Sequence, residues 1–561
     1  MDFKKRYKYL FILLILFTAY NAFFLNKAFH IDDPFTIAMA RAVNRNFLNP
    51  PPVFFSNPVL LGYYYGPIIK LFGEREIWLH LFYLPFSLLV IISIVFLGKR
   101  FANGSLFPTL FLVSTPAFIV TSQNIMLDIP LFGFFLASLA LFIYGTDSGN
   151  NRLLALSGIL AGAAILTKYS GLMLFPILFI YSLLHKKKRS LFFLVIPVAI
   201  FLLWILHNII FYKHSIFLYA LTGRLKGYFI SGSLIRTFAC LIFLSGTSVA
   251  TLFISPYLLR RRINLFLFLA SLPIGLSPFL VRFFSEYTIF GKSIIALLLI
   301  VSFFIILVVF KNGLTAMSNQ AYNKDKLFLC LWFFILLIFI ILSNFIAARF
   351  VLLLFPPMFL IIFDEINSYS PHFIQKTKKM LYLFMFLTVS ISTALAIGDY
   401  YFAGVYRDIA QHLKRTIPPE KQVYFYAGDW GYNYYMIKEG YKPFTCREIL
   451  RRSHYRYPEG YLPLTLEEIN KDLLQRAIFV APSAPVLPTV GFGRRRIFLD
   501  KLSRLKFIKI LIKKVDYRTN IIIHNTRFHA GFYSHDWGLL PFYISKKNLL
   551  EESFEVYRLT R

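Results

Sequence analysis

Residues 327–363 read LFLCLWFFILLIFIILSNFIAARFVLLLFPPMFLIIF, and Arg349 is the only charged side chain among them. An apolar run of about 20 residues crosses a bilayer as a helix. This stretch therefore predicts two spans, 327–347 and 350–366, with Arg349 at the tip between them. The same reading carried outward adds 8–26, 77–98, 103–121, 127–145, 153–167, 170–184, 190–212, 236–259, 263–281, 290–310 and 380–398, thirteen in all. Composition agrees. Of 561 residues, 57% are hydrophobic and 16% charged, against about 45–50% and about 25% in soluble domains. A soluble enzyme, a disordered chain and a nucleic-acid-binding domain are excluded on those grounds. The net charge of +33 reads as loop Lys and Arg of a membrane protein. Cys240, Cys330 and Cys446 are too few for a disulfide framework or a thiolate zinc site.

Lys and Arg placement sets the orientation. With the N-terminus inside, 20 of these residues up to 398 fall in inner loops and 13 in outer ones. The first apolar run lacks a small-x-small cleavage site, so it reads as an uncleaved span. The expected localisation is the cytoplasmic membrane, with the N-terminus inside and the C-terminal region outside. Eleven acids precede residue 399, and none is expected mid-span, nor is any Lys or Arg. Ionisable residues at membrane depth mark coupled transporters, so chemistry at the outer face is the better reading.

From Asp399 the apolar runs shorten, and 27 Lys and Arg stand against 16 Asp and Glu. Residues 399–561 are predicted to form a soluble α/β domain beside a transmembrane domain of residues 1–398. Strands are expected at 422–426, 477–480 and 521–524, a turn at 428–431, and helices at 405–415, 434–439 and 466–475. Arg494–Arg496 and the basic run 501–514 read as a solvated face or a site for anionic headgroups. The aromatic, polar segment 531–538 suits sugar contact or a packed turn.

The outer loop 27–76 carries His30-Ile31-Asp32-Asp33-Pro34-Phe35. Pro34 followed by helix formers reads as the first helical position, which makes Asp33 an N-cap. Asp32 is then free to act as a general base. Glu76 and His80 are spaced i, i+4 and suit either a membrane interface or a divalent metal. Tyr63–Tyr65 read as an interfacial belt or a sugar platform.

Several segments, in order, resemble the superfamily of protein O-mannosyltransferases and lipid A aminoarabinose transferases. These are GT-C glycosyltransferases that use polyprenyl-phosphate sugars. The segments are Asp32-Asp33 with Ala40-Arg41, Asn57-Pro58 with Tyr63-Tyr64, Phe72-Gly73-Glu74-Arg75-Glu76, Met126-Leu127-Asp128-Ile129-Pro130-Leu131, Leu166-Thr167-Lys168 and Arg349-Phe350 with Pro356. Asn57 and Phe35 depart from basic residues at the corresponding family positions. The resemblance implies inverting transfer of a hexose or pentose from a polyprenyl-phosphate carrier to a lipid, glycan or protein acceptor. It assigns catalysis to Asp32, Asp33 and Asp128, with Asp32 as base, and phosphate binding to Arg41, Lys70, Lys168 and Arg349. Local roles stay open beside it: a cap for Asp128, snorkelling for Lys70 and Lys168, a loop tip for Arg349. Beyond a divalent metal, no cofactor is implied. A transporter or flippase without chemistry, and a glycan polymerase or ligase, are the alternative readings.

Overall fold

The computed structural model describes residues 3–50, 57–218, 221–222, 230–318, 323–343, 345–368, 373–417, 421–426, 430–447, 463–469, 473, 477–482 and 500–560. Arg224, Lys226, Gly428, Asp429 and Arg494–Arg496 lie outside them.

Six of the described helices are long and apolar enough to cross a membrane: Glu76–Phe101, Asp128–Ser148, Lys188–Tyr212, Arg262–Leu280, Ile289–Met317 and Thr377–Thr416. Ser233–Gly246 and Ala250–Leu258 pass the same test only together and are bent by 85°, as in a broken span or a re-entrant loop. The other predicted spans are single shorter helices, among them Phe3–Ala22 and Lys324–Ile341, or are divided. Spans 153–167 and 170–184 are the short apolar helices Asn151–Thr167 and Tyr169–Leu184. Span 103–121 divides into Phe107–Ser114 and Pro116–Thr121. Proline cannot donate to a helical ladder, and Thr115 caps the second helix by accepting from the Phe118 N–H at 3.2 Å.

Loops predicted to share one side do meet. Arg100 donates to Asp147 at 2.8 Å and to Asp325 at 2.6 Å, His185 Nε2 is 2.9 Å from Asp325, and Lys326 is 2.8 Å from Asp364. One expectation needs correction. Helix Ile289–Met317 runs past the predicted end at 310, so Lys311 lies inside it, buried and 2.7 Å from Glu365. The charge is tolerated there because it is paired.

Helix Phe373–Thr416 is continuous, so the predicted division at 398/399 falls within it. Beyond it lies a six-stranded sheet of order β3-β2-β1-β4-β8-β5. Strands β1 (Gln422–Tyr426), β2 (Lys442–Thr445), β3 (Leu464–Thr465) and β4 (Ala477–Pro482) are parallel. The long strands β5 (Ile508–Ile522) and β8 (Tyr543–Thr560) pair antiparallel, β8 also bordering β4. A small pair, β6 (His524–Asn525) and β7 (Ala530–Gly531), completes the region. Of the predicted helix 466–475, the described residues show a single turn at Leu466–Glu468 and a helical Leu473. The main core is shared between regions: Phe402, Tyr406, Tyr432 and Phe554 belong to the same apolar cluster as Phe118 and Phe132.

Glu551 and Glu552 of β8 are fully buried. Burial raises both carboxyls well above the usual range, and each neighbouring acid adds to the shift of Glu551. The folded chain thus keeps these protons to higher pH than the unfolded chain. Their stabilising contribution is complete below the ordinary Glu value, about 4.3, and is lost as pH rises through the folded value. Glu551→Gln removes that loss. Its melting temperature should exceed wild type by about 2–4 °C near pH 9 and by less near pH 5. Equal differences at the two pH values overturn the assignment.

Candidate active site

The site begins in the first loop. Helix Asp33–Arg45 starts at the fixed backbone angle of Pro34 and buries Thr36, Ile37, Met39, Ala40 and Val43. That spacing forms one helical face, which packs on helix Leu60–Phe72. Gly62 makes the approach possible, since a Cβ there would stand 2.9 Å from the Met39 carbonyl oxygen. Thr36 Oγ1 ties the helix to the Ile125 carbonyl at 2.7 Å, just before Asp128.

The predicted cap is one residue off. Asp32 holds the cap position but makes no side-chain capping bond. Asp33 is the first helical residue, fully buried, and its carboxylate accepts from the His30 N–H at 3.1 Å. Asp32 is left to turn outward and accept from Arg349 Nη2 at 2.9 Å. Likewise Leu127, not Asp128, caps helix Asp128–Ser148. Asp128 faces two cations instead: Lys168 donates to it at 2.8 Å, and Arg349 Nε lies 3.1 Å away. Lys168 reaches it because the chain is extended at that residue, between helix Asn151–Thr167 and the tight turn Tyr169–Met173.

Asp32, Arg349, Asp128 and Lys168 thus form one cluster of alternating charge, with both cations set against the Phe350 ring. Asp32 is its open member, 32% exposed, against 7% for Asp128 and Arg349. The low-water surroundings raise its carboxyl above the usual range; Arg349 opposes that shift and Asp128 adds to it. Burial lowers the Lys168 ammonium, and Asp128 limits the fall. Burial also works to lower Arg349, but Asp32 and Asp128 outweigh it, so its charge is secured.

The other expected phosphate ligands are elsewhere. Arg41 is engaged with Glu74 through two bonds of 2.6 and 2.5 Å, and Lys70 is exposed in the last turn of its helix. Both members of the metal pair bond within the protein, while His80 Nε2 has no hydrogen-bond partner among the described residues. Glu76 accepts from the Tyr435 hydroxyl at 2.8 Å, and His80 Nδ1 lies 2.8 Å from the Glu76 carbonyl. Among the described residues no three His, Cys, Asp or Glu side chains group so as to hold a metal ion. The hydroxyls of Tyr63, Tyr64 and Tyr65 all donate to nearby backbone carbonyls.

Behind the cluster lies a second, fully buried network that the sequence reading missed. Lys27 donates to Asp399 and, at 2.6 Å, to Asn124. His30 Nε2 is 2.9 Å from Asp399. The Tyr533 hydroxyl donates to Asp399 at 2.7 Å and accepts from Asn124 at 3.0 Å. Lys27 and Asp399 each follow a predicted span end, which was the available signal.

Residues 56–216 match the family model described as dolichyl-phosphate-mannose-protein mannosyltransferase. That stretch contains Asp128 and Lys168 but neither Asp32 nor Arg349. No curated protein matches the chain. Two crystal structures of ArnT from Cupriavidus metallidurans are similar to it, one in the apo state and one bound to undecaprenyl phosphate. Each aligns with 89% of this chain and 96% of its own, at 16% identity, with TM-scores of 0.45 and 0.44. Residues 56–216 of this multi-pass membrane chain are thus similar to the mannosyltransferase family model.

Proposed function

We propose that the chain is an inverting glycosyltransferase that takes a sugar from a polyprenyl-phosphate carrier and delivers it to a lipid, glycan or protein acceptor at the outer membrane face. One observation carries this reading: a partly open carboxylate, Asp32, stands 2.9 Å from a buried guanidinium, Arg349, with Asp128 and Lys168 behind them.

Such a transfer needs a base and an anion site at one place. An acceptor oxygen or nitrogen attacks the anomeric carbon, the bond from that carbon to the phosphate oxygen breaks, and the acceptor's proton passes to Asp32. The electron pair leaves with the polyprenyl phosphate. Fixed cations aimed at the departing charge supply the largest electrostatic contribution in sites of this kind. Arg349 is suited by its planar fork of five donors, only some of which Asp32 and the Tyr533 carbonyl occupy. Lys168 adds a second charge from the same side. Asp128 holds both cations in place, and its own negative charge lets them remain charged while buried. The family match, whose description names dolichyl-phosphate mannose, supports a donor of this class.

The base and the C-terminal region share one side of the spans, because Tyr533 touches both Arg349 and Asp399. We place that side outside the cytoplasm and the N-terminus inside it, on the Lys and Arg bias.

The test is purified full-length protein in lipid nanodiscs with mannose, glucose, galactose and aminoarabinose on polyprenyl phosphate, read as release of polyprenyl phosphate. Turnover with at least one donor is expected, and none with any of them counts against the reading. With the active donor, kcat/KM reports the free enzyme's base. Because Asp32 is raised, activity should fall on the acid side with a midpoint above the ordinary Asp value of about 3.9. A midpoint at or below that value removes Asp32 from the role.

A further inference from the structure

Arg349 sits in an irregular loop between helix Lys324–Ile341 and the tight turn Val351–Leu354. Backbone groups buried in such a loop must find partners. Here they come from almost two hundred residues downstream. The Ala348 N–H donates to the Phe532 carbonyl at 2.8 Å, and the Ile346 carbonyl accepts from the His535 N–H at 2.8 Å. The Ile346 N–H donates to His535 Nδ1 at 3.2 Å. Arg349 Nη1 itself reaches the Tyr533 carbonyl at 3.4 Å.

The downstream segment is in turn fixed. Its Tyr533 hydroxyl is held by Asp399 and Asn124, and the Leu539 N–H donates to the Tyr287 hydroxyl at 2.9 Å. Gly538 adopts φ +151°, and a Cβ there would lie 2.0 Å from the His529 carbonyl. Only glycine allows the segment to fold back this tightly.

We propose that Phe532–His535 is a positioning clamp for Arg349, so that the C-terminal region completes the phosphate-binding site of the membrane domain. This rests on the reading of Arg349 as a phosphate ligand. Asp32 and Asp128 hold the guanidinium, and the clamp holds the backbone from which it projects. Misplacing such a group by about 1 Å is enough to cost about 100-fold in rate. The residues of the clamp are positioning residues; none of them is assigned contact with the reacting atoms.

The test measures binding of undecaprenyl phosphate to the full-length protein in nanodiscs. His535→Ala leaves the Ile346 N–H without its acceptor, whereas His535→Asn offers a carbonyl oxygen near the position of Nδ1. His535→Ala should weaken binding about 3–10-fold and His535→Asn by less than about 2-fold. Combining His535→Ala with Arg349→Lys should bind no more weakly than Arg349→Lys alone, because both act through one group. Wild-type affinity in His535→Ala, or losses that multiply in the double variant, overturns the clamp and leaves the phosphate site standing. Wild-type affinity in Arg349→Lys overturns the phosphate site and the clamp with it. Should His535→Ala not fold by size exclusion and melting, Tyr533→Phe takes its place. That change cuts only the anchor to Asp399 and Asn124, and the same weakening and the same non-additivity are expected and decide the matter.

Discussion

Asp32→Asn is expected to lower kcat about 10²–10⁴-fold while leaving the lipid-phosphate affinity unchanged or improved. The rate loss is the usual contribution of a positioned general base. Asparagine keeps the shape and one acceptor for Arg349 Nη2, now 2.9 Å from Asp32, but has no basic oxygen to take the acceptor's proton. The affinity argument runs the other way. Asp32 is an anion beside the cation assigned to the phosphate, so removing its charge frees Arg349 to attract a second anion more strongly. A purely structural role for Asp32 predicts that rate and affinity fall together. Asp33→Asn separates the two acids: its carboxylate accepts the His30 N–H from within the core, so that change should lower stability more than rate. Full turnover in Asp32→Asn moves the base to Asp33 or Asp128, and the pH profile of Asp128→Asn then decides between them.

What made half of this cluster visible in advance is the cost of charge in an apolar setting. A cation costs about 2.5–3.5 kcal/mol at the centre of a membrane helix. Arg349, the only charge between 327 and 363, therefore demands a partner, as does Lys168 between two short apolar runs. Who the partner is does not follow from spacing. Asp32 and Arg349 are joined only by the packing of the whole helical bundle, and Arg41 looked as eligible as Arg349 until Glu74 claimed it. Strand β5 was hidden for a different reason. Its first half exposes Ile508, Ile510, Leu511 and Ile512 alongside its lysines, so the alternation that betrays a half-buried strand is absent there. The break at Pro116 was readable from proline chemistry, but the apolar run around it masked the division. Apart from His535 Nδ1, the clamp on Arg349 is made by backbone groups, which leave no trace in residue types.

Lys27→Met should be the most damaging change to stability, at about 3–5 kcal/mol. Lys27 and Asp399 are both fully buried. The loss is large because the variant strands a carboxylate, not because the pair was worth that much to begin with. Replacing both members, Lys27→Met with Asp399→Leu, should therefore recover much of the loss in a denaturant titration, although Tyr533 and Asn124 then lose a shared acceptor. His30 adds a signature in pH. Burial works to lower its pKa, but Asp399 overcomes that, and Lys27 is among the groups holding it down. Without Lys27, His30 gains protons more readily and becomes the only nearby described cation 2.9 Å from Asp399. A histidine raised in the folded state stabilises fully below its unfolded value, about 6.5, and that support is lost as pH rises through the folded value. The melting gap between wild type and Lys27→Met should thus be narrower near pH 6 than near pH 8.5. A gap that does not change with pH means that His30 does not stand in for the missing ammonium, and a gap below about 1 kcal/mol means that water reaches Asp399 when Lys27 is gone.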